Sequence, residues 1–175
     1  METKDETTTQ LNDYSYPPPE WTAPPSNTIK INVDAALRNG QYAIARDHQG
    51  NYCGASTKLG WSNFPVVAET DAFLLAAELA QWLNLDSVII ELDCQVVVKI
   101  LKGESHSSPW RIWKTIDDIR VLTRRSSQVL FEFARRSANS TAHLLGAYAI
   151  NNKVQDKWTP SHCPSFISAL LDVST

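Results

Sequence analysis

Residues 29–37, IKINVDAAL, alternate along their length. Ile29, Ile31, Val33, Ala35 and Leu37 fall on one side, and Lys30, Asn32, Asp34 and Ala36 on the other. A period of two predicts a strand. Arg38-Asn39-Gly40 is a turn signal, and Gln41 to Arg46 reads as the returning strand. Asp47-His48-Gln49-Gly50 is a second turn, before a third strand from Asn51 to about Lys58. The period then changes. Between Phe64 and Leu83, Glu69, Phe73, Ala76, Ala80 and Leu83 form one stripe at helical spacing, with Asn63 as the expected cap and Pro65 in the first turn. Ser87 to Asp93 is a short β-branched run, the pattern of a buried central strand. Gln95 to Lys102 is a short helix stopped by Gly103. Pro109 to Arg124 is helical, with Ile112, Ile116 and Ile119 on one face. Val129, Phe131 and Phe133 alternate, and Ala138, Ala142, Leu145 and Ala149 mark a last helix.

The order βββ-α-β-α-α-β-α predicts an α/β fold, a five-stranded mixed sheet flanked by helices. Residues 1–27 are polar and rich in proline, the composition of a disordered tail. The domain spans 28–150, and 151–175 are set apart as a C-terminal tail. The chain of 175 residues suffices for one domain with a real core. No apolar run approaches the length of a membrane span, and the start of the chain lacks the basic and apolar regions of a secretory signal. Cys53, Cys94 and Cys163 are odd in number and scattered, so neither a zinc site nor a disulfide framework is expected. A reducing compartment, nucleus or cytoplasm, and a monomeric protein are the expectation.

Net charge is −3, which alone argues mildly against a nucleic-acid partner. Its distribution argues the other way. Nine of the basic residues fall between Lys99 and Arg136, with only four acids among them. Solvated helix faces are the plain alternative. Trp110 and Trp113, at the start of a helix, read as packing residues, with substrate contact as the alternative.

Three carboxylates stand at informative places. Asp34 lies within the first strand, Glu69 on the core-facing stripe of the long helix, and Asp93 at the end of the fourth strand. A carboxylate on a buried face is costly unless paired, hydrogen-bonded or metal-bound. Clustered oxygen ligands suit Mg²⁺. Each also has a structural alternative: Glu69 as a partner of the helix dipole, Asp93 as an N-cap, Asp34 as a hydrogen-bonding group.

The segments KINVDAA, RDHQGN, VAETDAFLLAAELA, VIIELDCQVVVKIL, WRIWKTIDDI and FEFARRSANSTAHLLG occur in the order of plant ribonuclease H-like domains, including those of retroelements, and the chain resembles that family. The lead-in EWTAPPSNTIKINVD is similar to the proline-rich approach of those proteins. The resemblance implies a ribonuclease H-like fold, three antiparallel strands followed by two parallel ones. It implies hydrolysis of the RNA strand of an RNA–DNA hybrid with two Mg²⁺ or Mn²⁺ ions about 4 Å apart. Asp34, Glu69 and Asp93 match the family's metal-binding acids. The family's fourth acid falls where this chain has His143, whose imidazole suits Mn²⁺ better than Mg²⁺ and could instead carry a proton. A domain that binds nucleic acid without cleaving it is therefore the alternative. The second strand is also short by comparison, so its hairpin is expected to bulge or shorten.

Overall fold

The computed structural model describes residues 20–173. Three strands come first: β1 (Ile29–Ala36), β2 (Gly40–Arg46) and β3 (Tyr52–Leu59). They are followed by α1 (Pro65–Trp82), β4 (Ser87–Leu92) and α2 (Gln95–Leu101). A 3-10 turn, Trp110–Ile112, leads into α3 (Trp113–Thr123), then β5 (Gln128–Phe133). A second 3-10 turn, Arg136–Asn139, leads into α4 (Ser140–Asn152), followed by β6 (Asp156–Trp158) and α5 (Ser165–Val173). The sheet order is β5-β4-β1-β2-β3-β6. β1, β2, β3 and β6 pair antiparallel in turn, whereas β4 pairs parallel with β1 and with β5. The mixed α/β sheet is thus as expected, with one strand more than the five foreseen.

The alternation of β1 decides which face packs where. Ile31 and Val33 join Ala43, Ala45, Ile90 and Leu92 under α1 and α3, where Phe73, Leu79, Ile116 and Ile119 complete the core. Alanines on the inner side of α1, Ala68, Ala72, Ala76 and Ala80, are all buried, so the helix lies close to the sheet. The opposite face is split. Toward β2 and β3, Tyr42, Ile44 and Ala55 pack under Ala142, Leu145 and Ala149 of α4. Toward β4, buried Ile89 is accompanied by four buried polar side chains, Lys30, Asn32, Arg46 and Glu91.

The hairpin β1–β2 runs without a break from Lys30↔Arg46 to Ala36↔Gly40. At Gly40 (φ +133°) a Cβ would lie 2.0 Å from the Lys58 carbonyl oxygen, so only glycine lets β3 close in. The irregularity expected of the short second strand appears on its other side. Ala45 faces Gly54 but Arg46 faces Tyr52, leaving Cys53 as the extra residue of a bulge.

The start of α1 departs from expectation. Asn63 does not cap it; its Oδ1 accepts a hydrogen bond from Trp61 Nε1 (3.1 Å), and the N-cap position is Phe64. Residues 1–19 of the expected N-terminal tail lie outside the described residues. From Trp21 onward that segment docks on the sheet. The indole Nε1 donates to buried Asn32 (2.9 Å), the ring lies 4.0 Å from the Arg46 guanidinium, and Pro24 is buried. The C-terminal segment also packs. β6 extends the sheet at β3, and Phe166 of α5 stacks on Tyr148 (4.0 Å) and meets Trp158 edge-on. Large aromatic area removed from water supplies the reason. The three cysteines are free, and no helix among the described residues is long and apolar enough to cross a membrane.

Candidate functional site

Four elements bring the candidate residues to one end of the sheet. Asp34 is carried by β1, two residues before its end. Glu69 is in the second turn of α1, with its side chain turned inward. Asp93 directly follows β4 and precedes α2. His143 is in the first turn of α4. The start of α4 is pinned beside Asp34 by Asn139, a buried residue whose Nδ2 donates to the Val33 carbonyl at 2.6 Å.

His143 touches Asp34 directly, Nδ1 to Oδ2 at 3.1 Å. The same nitrogen lies 3.5 Å from Arg136 Nη2. A ring nitrogen can donate to the carboxylate or accept from the guanidinium, but not both. The shorter contact governs, so Nδ1 carries the proton and donates to Asp34. Arg136 is left with charge attraction. It lines a cleft of about 270 Å³ with Asp34, Tyr42, His143, Gly146 and Ile150.

The carboxyl groups repel one another across this end of the sheet. Burial, then the charges of Asp93 and Asp34, push the Glu69 carboxyl up to about 8, and Arg136 offsets part of the rise. Asp93 is likewise raised, by burial first and Asp34 second, with Arg136 and His143 among the opposing influences. Glu69 Oε2 is buried with no hydrogen-bond partner. Among the described residues, no three His, Cys, Asp or Glu side chains are gathered closely enough to hold a metal ion as they stand. The donor set itself fits a hard divalent cation. It offers carboxylate oxygens from three elements, one of them a buried oxygen that lacks any partner.

Tyr42 and Gly146 show how tightly α4 is seated. Tyr42 stands opposite Asp34 in the β1–β2 register and is fully buried. A Cβ on Gly146 would come within 2.6 Å of its ring. The Tyr42 hydroxyl has no partner, and burial followed by the charge of Asp34 pushes it up to about 12.

Reading the sequence alone misses Arg136 as a site residue, since it appears only as one of nine basic side chains. Its spacing from Asn139 and His143 was the available signal: three and then four residues place all three near one helical face. Trp110 and Trp113 are not packing residues, being 68% and 59% exposed. In α3, Lys114 pairs with Asp118 (2.6 Å) and Arg120 with Asp117 (3.7 Å), so part of the basic stretch is a solvated helix face.

A mixed sheet of this order, with helices in this succession, is the ribonuclease H-like fold. Residues 32–149 match the family described as Reverse transcriptase-like, and the chain belongs to that family. Solved structures of ribonucleases H share the fold. The N-terminal RNase H domain of Rv2228c from Mycobacterium tuberculosis superposes with a TM-score of 0.62 at 17% identity, over 71% of this chain and 94% of that one. RNase H1 from Halobacterium salinarum gives 0.63 at 18% identity, over 71% and 97%. LC11-RNase H1, solved in complex with an RNA/DNA hybrid, gives 0.61 at 19% identity, over 72% and 97%. No curated protein matches by sequence.

Proposed function

We propose that this chain is a metal-dependent phosphodiesterase that cleaves the RNA strand of an RNA–DNA hybrid, acting as a monomer. The observation that carries the reading is the acidic end of the sheet, where Glu69 Oε2 is buried and unpaired and burial, with the charges of Asp93 and Asp34, holds the Glu69 carboxyl above its usual range. Asp34, Glu69 and Asp93 would hold two Mg²⁺ or Mn²⁺ ions by drawing together. The ions supply charge neutralisation at the attacking and leaving oxygens of an in-line displacement. Arg136, on the wall of the cleft that Asp34 also lines, binds phosphate oxygens through its guanidinium fork. His143 orients the Asp34 carboxylate through Nδ1 and is the nearest group able to move a proton. The hybrid named for LC11-RNase H1 supports the substrate class, and the resemblance to plant domains supports a retroelement-related origin.

One observation favours a second reading, binding without turnover. Asp34 already has partners, with His143 Nδ1 in contact and the Arg136 guanidinium next to that imidazole. Both side chains compete with a cation for the same carboxylate. A labelled hybrid incubated in Mg²⁺ and then in Mn²⁺, beside Asp34→Asn, separates the two. Cleavage abolished by the substitution supports the hydrolase. Salt-sensitive binding with no cleavage in either metal overturns it in favour of the binding domain.

A further inference from the structure

Trp61 and Trp110 are the most exposed large apolar side chains among the described residues, at 66% and 68%, with Phe64 at 44%. Each ring carries an arginine. The Arg111 guanidinium lies 4.3 Å from the Phe64 ring centre and 4.7 Å from that of Trp110, and Arg38 lies 5.3 Å from that of Trp61. The strip is tied to the carboxylate site through the backbone. Ser62 N donates to the Leu37 carbonyl (2.8 Å) and Gly60 N to that of Asn39 (3.2 Å), which anchors the Trp61 loop to the turn after the strand of Asp34. Phe64 is the N-cap of the helix that carries Glu69.

Guanidinium groups over these rings hold them in place without drying them. Aromatic area is left in water, interleaved with positive charge. A contiguous apolar groove would suit a protein, but charged groups interrupt this one. Flat π-surfaces alternating with cations match a ligand that alternates flat bases with phosphates. Bases inside a duplex are stacked on one another and have no free face. The ligand must therefore be unpaired.

We infer that Arg38, Trp61, Phe64, Trp110 and Arg111 form a stacking platform for a single-stranded segment adjoining the hybrid. The inference rests on the proposed function only in taking nucleic acid as the ligand. The test uses the full chain in EDTA at low salt, with fluorescent hybrids that are blunt or carry an unpaired dT extension of about eight nucleotides, a length within the range of known single-strand sites. Stacking of one base is worth about tenfold in affinity, so the extended hybrid is expected to bind at least about tenfold tighter. Trp61→Ala combined with Trp110→Ala should abolish that difference, as should charge reversal by Arg38→Glu with Arg111→Glu, which serves if the first pair misfolds. Trp82→Ala, at the far end of the same helix, should retain it. Equal affinity for the two hybrids, or a difference that survives both double variants, overturns the platform. Cleavage is read separately in Mg²⁺ against Asp34→Asn, so failure of the nuclease reading falls on a different measurement.

Discussion

Replacing Glu69 by glutamine tests the electrostatics of the site without requiring catalysis. The Glu69 carboxyl titrates at about 8 in the folded protein against a usual 4.5. The folded state therefore holds this proton more tightly than the unfolded state, and stability falls as pH rises between those values. Each pH unit is worth about 1.4 kcal/mol, so the penalty approaches about 5 kcal/mol above pH 8 as an upper bound. Water reaching the partly exposed side chain and relaxation of Asp34 and Asp93 reduce it to about 2–3 kcal/mol. Glu69→Gln carries no charge at any pH and escapes that loss. Urea melts of both proteins in EDTA at pH 5, 6, 7 and 8 should give curves that converge at pH 5 and separate steadily toward pH 8, the variant being the more stable. Added Mg²⁺ should then raise the stability of the wild type at pH 8 and leave the variant nearly unchanged. Parallel curves across the whole range would mean that neither burial nor the acidic neighbours hold the Glu69 proton, and the account of the site would be wrong.

His143→Asp should raise hybrid cleavage in Mg²⁺ by roughly tenfold, the lower end of what contacts around a metal site are worth; no gain in a folded variant counts against His143 standing at the fourth ligand position. Tyr42→Phe removes a buried hydroxyl that has no partner. It should stabilise the fold by about 1–2 kcal/mol, seen as a melting midpoint raised by about 2–8 °C; a lowered midpoint would reveal a hydrogen bond to that hydroxyl.

Long elements with a clean period were legible from the residues. The alternation of β1 assigned Ile31 and Val33 to one face and Asn32 and Asp34 to the other, because a pleated strand permits nothing else. The stripe of α1 brought Glu69 inward for a similar reason. Short or aperiodic segments were not legible. β6 has three residues, too few to display alternation, and its place depends on pairing with β3, about a hundred residues earlier in the chain. Arg136 belongs to a 3-10 turn, where side-chain direction follows from local closure and not from a repeat. Trp110 misled because an aromatic at a helix start is usually packed; here Arg111 holds its ring outside. The bulge at Cys53 was foreseen in kind, but which strand would absorb the extra residue depended on Gly54 at φ +152°.

The docking of Trp21 governs the permittivity at the middle of the sheet. Beneath its indole, Asn32 receives Arg46 (3.1 Å) and donates to Glu91 (2.9 Å), whose other oxygen meets the Lys30 ammonium at 2.5 Å. Shielded from solvent, these charges attract far more strongly than they would in bulk water. Peeling back the few residues around Trp21 would hydrate this polar seam between β1 and β4. The polar seam of the parallel half of the sheet is thus roofed by residues that precede its first strand.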